Sequence, residues 1–119
     1  MGLRVISERP YCVRPENFDP IWIHIFSLAG PAERNIDVNG ARDNFEQAFL
    51  NIWSGQVEND GFNQLALRAG LHWREIIIVR AYYRFLRQVF LRYSQEYVVT
   101  TLASNPNMAA RLVRLFHAR

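Results

Sequence analysis

The stretch from Trp73 to about Tyr93 limits this chain more than any other. Ile76, Val79, Tyr83, Leu86 and Phe90 follow a 3-4-3-4 spacing, which puts them on one face of an α-helix. Ile78, Tyr82, Phe85 and Val89 make a second apolar row beside the first. Only a narrow stripe, Arg80, Arg84 and Arg87, is left polar. A helix apolar around most of its circumference is central to a bundle or buried in an interface. Its cover must come from the rest of the chain or from another surface.

The flanking sequence offers further helices. From about Asp37 the character is helical. Asp43, with Glu46 three residues later, resembles a capping pair. Phe45, Ala48, Phe49, Ile52 and Trp53 then recur at helical spacing, and Gly55 suits the stop. Asn59 or Asp60 can cap a second helix carrying Phe62, Leu65, Ala66 and Ala69, with Gly70 as its C-cap. Ser94 can cap a fourth helix through about Ala103. Asn105-Pro106 starts a fifth, since proline suits the first helical position. That helix places Ala109, Leu112, Val113 and Phe116 inward and is still running near Arg119.

Residues ahead of the helices read as two strands. Leu3 to Val13 has β-forming character on both sides of Pro10, and the proline predicts an edge position or a bulge. Arg14 to Pro20 is a polar turn. Ile21 to Leu28 alternates Trp22, His24 and Phe26 on one face with Ile21, Ile23 and Ile25 on the other, which predicts cover on each side. Gly30 and Pro31 end the strand. Two strands alone are marginal in water, so the sheet is expected to be completed from outside the chain or by another copy. The expected fold class is α+β, mostly α. It comprises a short two-stranded β segment over residues 1–36 and a bundle of about five helices over residues 37–119.

Composition narrows the chemistry. A chain of 119 residues is one domain or a piece of a longer protein. No apolar run approaches membrane-spanning length, and the N-terminus has no secretion-signal pattern. Cys12 is the only cysteine, so no internal disulfide can form, which fits a reducing cytoplasm. All fourteen basic residues are arginine, and the net charge is only +3. Nucleic-acid binders are usually more basic, with clustered charge. The arginine stripe could grip phosphates on a free helix. Pairing with Glu75, or with Glu46, Glu58 and Glu96 on neighbouring helices, is the favoured reading, because arginine forms bidentate pairs and tolerates partial burial.

Candidate reactive residues find no companions. There is no G-x-G-x-x-G or P-loop pattern. His24, His72 and His117 are far apart, without metal-site spacing. His24 is expected to be packed and hydrogen-bonded. His117, near a helix C-terminus, interacts well with the dipole when protonated. Cys12 reads as a small apolar strand residue. The acidic turn Glu58-Asn59-Asp60 could bind a metal or an amine; a helix cap is the favoured alternative. Trp22, Trp53 and Trp73 are expected as core or interface anchors. No catalytic, cofactor-binding or metal-binding residue is expected.

The stretch Val57 to Gln88, VENDGFNQLALRAGLHWREIIIVRAYYRFLRQ, closely resembles the helical segment just ahead of the catalytic domain in the very large bacterial NAD-specific glutamate dehydrogenases. The blocks LRVISERPY (Leu3 to Tyr11) and WIHIFSL (Trp22 to Leu28) resemble what precedes that segment, part of an ACT-like regulatory region. The resemblance covers most of the chain. It implies that residues 1–36 are a partial ACT-like sheet and residues 37–119 a helical connector bundle. It also implies a parent enzyme that oxidises L-glutamate to 2-oxoglutarate and ammonia with NAD. The implied partners are the catalytic domain of the same polypeptide and further copies in a homo-oligomer, with an amino-acid effector as a candidate ligand. With no lysine, the usual catalytic lysine of amino-acid dehydrogenases is missing, so the chain alone is expected to be inactive and to carry no NAD.

Three positions depart from the family pattern. His72 stands three before Glu75, where relatives usually carry serine or threonine in a capping box; the weaker cap implies a loss of roughly 1 kcal/mol at this helix start. Ile25 replaces a frequent acid. VFLRY, Val89 to Tyr93, lacks the usual glycine and proline, which lets the helix run on towards Ser94. Two other readings differ in class: a free-standing helical interaction module, and a nucleic-acid-binding domain using the arginine stripe.

Overall fold

The computed structural model describes residues 1–30, 38–89 and 92–118, apart from the side chains of 38–40. The expectations at Pro31, Asp37, Phe90 and Arg119 lie outside the described residues. Contacts divide the chain into a β unit, Leu3–Arg34, and a helical unit made of Asn35–Arg119 with Met1–Gly2. The architecture is α+β and mostly α: among the described residues, two antiparallel strands, then five helices.

In the β unit, β1 (Arg4–Val13) pairs with β2 (Ile21–Ala29). The register runs from Val13 opposite Ile21 to Arg4 opposite Ala29. Asn17 turns the chain between them at φ 69°, a left-handed conformation that asparagine tolerates. The register slips between Val5 and Ser7, so the irregularity lies at Ile6 rather than at Pro10, which pairs with His24. In a two-stranded sheet both strands are edges, so a proline needs no bulge. Ring spacings of 6.4 Å for Trp22–His24 and 6.2 Å for His24–Phe26 put these three side chains on one face. Both faces are open: Trp22 is 60 % exposed and Ile23 49 %.

In the helical unit, α1 spans Val38–Trp53. Asp43 therefore lies inside the helix and does not cap it, while Glu46 pairs with Arg42 (Nε–Oε1 2.9 Å). The helix stops at Gly55, φ +72°, where the amides of Gln56 and Val57 both reach the carbonyl of Asn51. A 3₁₀ turn, Gly61–Gln64, runs into α2, Leu65–Arg68. Its cap is Asp60, not Asn59: Asp60 Oδ1 accepts from the Phe62 amide at 3.1 Å. Gly70, φ +63°, reverses the chain into α3, Trp73–Val89. This helix stops sooner than expected, because Arg92 and Tyr93 are not helical. Ser94 holds extended backbone while its hydroxyl accepts from the Tyr97 amide, so the chain must leave the helical conformation before α4, Gln95–Ser104. Between α4 and α5, Pro106–His117, Asn105 donates its side chain back to the Thr101 carbonyl at 2.9 Å. It closes α4; α5 begins on Pro106, whose missing N–H needs no cap.

The core gathers Phe62, Leu65, Ile76, Val79, Tyr83, Val99, Leu102, Ala109 and Val113. A Cβ on Gly61 would stand 2.9 Å from Val99 Cγ1, so the turn can lie against α4 only because residue 61 has no side chain. Asn44 on α1 donates to the Leu71 carbonyl (2.8 Å) and the Ala66 carbonyl (3.3 Å), fastening α1 to the end of α2. Ile76, Val79 and Tyr83 of the first apolar row of α3 are buried as expected and Leu86 is half-buried, but Tyr82, Phe85 and Val89 in the second row are exposed. On α5, Ala109 and Val113 are inside, whereas Leu112 and Phe116, expected inward, are exposed. Trp73 packs against the core, while Trp22 and Trp53 are exposed.

Candidate functional site

The densest polar arrangement joins the turn Glu58-Asn59-Asp60 to α3. Arg80, one residue after Val79 on the inward face, is only 5 % exposed. Its Nε donates to Asp60 Oδ2 at 2.7 Å, and its Nη2 donates to Asp60 Oδ1 at 2.8 Å and to Asn63 Oδ1 at 3.0 Å. The paired contact on Asp60 is the bidentate geometry that suits a guanidinium in a partly buried setting. Asn63, also buried, donates onward to the Glu58 carbonyl at 2.8 Å. Gln95 at the start of α4 donates to Asp60 Oδ2 at 3.3 Å. One turn along α3, Arg84 Nη2 binds both oxygens of Glu58 at 2.7 and 2.6 Å. Asp60 thus serves as helix cap, counter-ion and link to α4 together.

This arrangement neutralises two arginines with two carboxylates and ties the turn, α3 and α4 into one body. It brings together the acidic turn and most of the arginine stripe. Among the described residues Glu58 is the one acid of those expected to pair with the stripe that does so, at 3.8 Å from Arg80 as well as on Arg84; the stripe's other partner, Asp60, was expected only as a cap. Glu75 and Glu46 are engaged elsewhere. Arg87 reaches the Tyr83 hydroxyl at 3.3 Å. The stripe's most inward donors are therefore held by carboxylates rather than presented to a phosphate.

Asn63 and Gln95 were not anticipated as members. A signal for Asn63 was available: it is an amide between Phe62 and Leu65, in a segment whose neighbours are buried, where an unpaired polar group is costly.

The other expected positions are scattered. His72 does cap α3: its Nδ1 accepts from the Arg74 amide at 3.3 Å, and its Nε2 lies 3.0 Å from Gln47 Oε1. Glu75 Oε2 accepts from the His72 amide at 2.7 Å, the return half of a capping box. The imidazole thus takes the acceptor part that serine or threonine plays, and also reaches α1. His24 is hydrogen-bonded to Glu8 Oε1 at 2.6 Å, but is exposed rather than packed within a core. Cys12 is exposed opposite Trp22. His117 ends α5, its ring edge-on to Phe116. Among the described residues no three His, Cys, Asp or Glu side chains are grouped to hold a metal ion, and no helix is long and apolar enough to cross a membrane.

Two family models match. Residues 57–119 match glutamate dehydrogenase, helical motif 3, and residues 1–41 match glutamate dehydrogenase, ACT3 domain. The chain is 43 % identical over 119 residues to the NAD-specific glutamate dehydrogenase of Halomonas elongata, covering all of this chain and 7 % of the relative. It is 39 % identical over 119 residues to that of Pseudomonas aeruginosa, again all of the chain and 7 % of the relative. The Mycobacterium tuberculosis enzyme of the same name is 39 % identical over 124 residues, covering 99 % of the chain and 8 % of the relative. The chain therefore spans a small fraction of the length of the curated relatives it matches.

Proposed function

The chain belongs to the glutamate dehydrogenase family, and from that premise we propose that it is a non-catalytic segment of a large NAD-dependent glutamate dehydrogenase, one that docks the regulatory region on the catalytic region and supports oligomer assembly. Residues 1–36 are on this reading the end of an ACT-like region, and residues 37–119 a helical connector. The whole enzyme converts L-glutamate to 2-oxoglutarate and ammonia with NAD in the bacterial cytoplasm. The catalytic and NAD-binding residues lie elsewhere in it.

The single observation behind this reading is the open β unit. Two strands carry Ile21, Ile23 and Ile25 on one face and Trp22 and Phe26 on the other, all about half exposed or more. So much open apolar surface on a sheet of two strands is stable only when other elements cover it. A polypeptide many times longer supplies them. The helical network points the same way: Arg80, buried against Asp60 and Asn63, ties the turn to α3, as a rigid spacer between two regions requires.

Amide hydrogen exchange tests the reading. In the intact dehydrogenase, Arg4–Ala29 should exchange slowly on the outer edges and across both faces; in the 119-residue chain the same amides should exchange much faster. Equal rates in the two would remove the docking role. A measurable rate of glutamate-dependent NAD reduction by the 119-residue chain alone would remove the non-catalytic assignment.

A further inference from the structure

We propose that α3 and α5 together form a docking face for an acid-rimmed apolar surface elsewhere in the same polypeptide. The inference rests on the docking reading above and adds to it the place and the chemistry of the contact. Tyr82, Phe85 and Val89 on α3 are 37 %, 61 % and 54 % exposed, and Leu112, Leu115 and Phe116 on α5 are 37 %, 57 % and 48 % exposed. Tyr82 and Phe116 meet edge to face with ring centroids 6.2 Å apart. That contact joins the two rows into one continuous patch. Helical periodicity places each row on the flank beside a buried one, Val79 and Tyr83 on α3 and Ala109 and Val113 on α5. A joined apolar patch of this kind marks an interaction surface, whereas scattered exposed leucines do not.

Charge identifies the partner. Helix α5, PNMAARLVRLFH, contains no acid. Its Arg111 and Arg114 are exposed and make no ion pair among the described residues. The one acid of α3, Glu75, is held by the His72 amide. The contrast with the opposite flank of α3 is direct, since Arg84 there already has Glu58. An apolar patch on a helix that carries arginines without an ion pair among the described residues, and no acid, is complementary to an apolar surface with carboxylates beside it, and that complementarity fixes register and partner choice. The chain is 7 % of the length of its relatives, so a tethered partner is available at high effective concentration, and a patch of modest size suffices.

Photo-cross-linking in the intact dehydrogenase tests this. Benzoylphenylalanine replaces Phe85, Leu115 or, as a control on α1, Trp53, which is 81 % exposed. The expected result is that Phe85 and Leu115 both link to one contiguous segment outside these 119 residues with Asp or Glu beside the linked site. The double variant R111E/R114E should then lower the Leu115 yield about tenfold at low salt, and R111Q/R114Q should lower it less. Links to a second copy of this segment, to nucleic acid or to lipid would overturn the proposal, as would a target without acids. Links from Trp53 but from neither Phe85 nor Leu115 would overturn this face and leave the docking reading standing. No link from any of the three positions would remove both.

Discussion

Replacing Arg80 with methionine should cost the helical unit about 2–4 kcal/mol. Arg80 is 5 % exposed, and its guanidinium supplies three of the short hydrogen bonds in the network, two to Asp60 and one to Asn63. Methionine keeps most of the volume but leaves Asp60 without its cation. Breaking a buried pair from one side costs about 3–5 kcal/mol. The lower figure applies here because the Asp60 side chain is 14 % exposed and keeps the Phe62 amide and Gln95 as donors. Asp60→Asn preserves the cap acceptor and should cost about 2 kcal/mol, since Arg80 retains Asn63 and the more distant Glu58. Because both changes delete the same pair, the double variant should be at least about 1.5 kcal/mol more stable than the sum of the singles predicts. Urea unfolding of the 119-residue chain, followed by circular dichroism at a helix wavelength, reads all four corners of the cycle. With a slope of about 1–1.5 kcal/mol per molar, the Arg80→Met midpoint should fall by about 2 M. A loss below about 1 kcal/mol, or additivity in the cycle, would refute the claim that this pair carries the contact between the turn and α3.

Other positions give sharper local tests. Gly61→Ala should destabilise the helical unit by about 1–3 kcal/mol, because the new methyl meets the stiff Val99 side chain at 2.9 Å; adding Val99→Ala should relieve the clash, and an unchanged melting curve for the single variant would show that the turn can move away. Asn44→Asp removes the amide donor that serves the Ala66 and Leu71 carbonyls and brings a charge to a part-buried site, for an expected loss of about 2–3 kcal/mol. A loss in chemical denaturation no larger than for Asn44→Ala would count against the charge argument. Glu75→Ala should cost about 1 kcal/mol through the freed His72 amide, and its fastest-exchanging amides should cluster at the start of α3. Arg84→Ala, by contrast, breaks only an exposed pair with Glu58 and should cost less than about 1 kcal/mol in the same unfolding assay.

Much of this molecule was legible from local pattern. Apolar spacing located the long helix, and Ser94, Asp60, Gly55, Gly70 and Pro106 marked boundaries that the structure keeps. Capping and turn chemistry are properties of adjacent residues, so a linear reading reaches them. The misreadings have the same origin. Asp43 and Glu46 have the spacing of a capping pair, but the helix was already under way at Val38. The extra turn expected before Ser94 ignored the extended backbone that its own cap demands.

The sequence by itself determined the fold class, the absence of lysine and of any G-x-G-x-x-G or P-loop pattern, and the likeness of its blocks to one family. Tertiary structure decided which polar residues meet. Asp60 and Arg80 are twenty positions apart and Gln95 is thirty-five from Asp60, and no local rule says that a stripe arginine turns inward to a cap aspartate. It also decided which apolar rows stay open. Both rows of α3 look alike in sequence, yet only the Val79 and Tyr83 side is covered. Burial depends on what packs across a helix, and here the core residues of the other helices meet the Val79 and Tyr83 side, leaving the Phe85 side exposed.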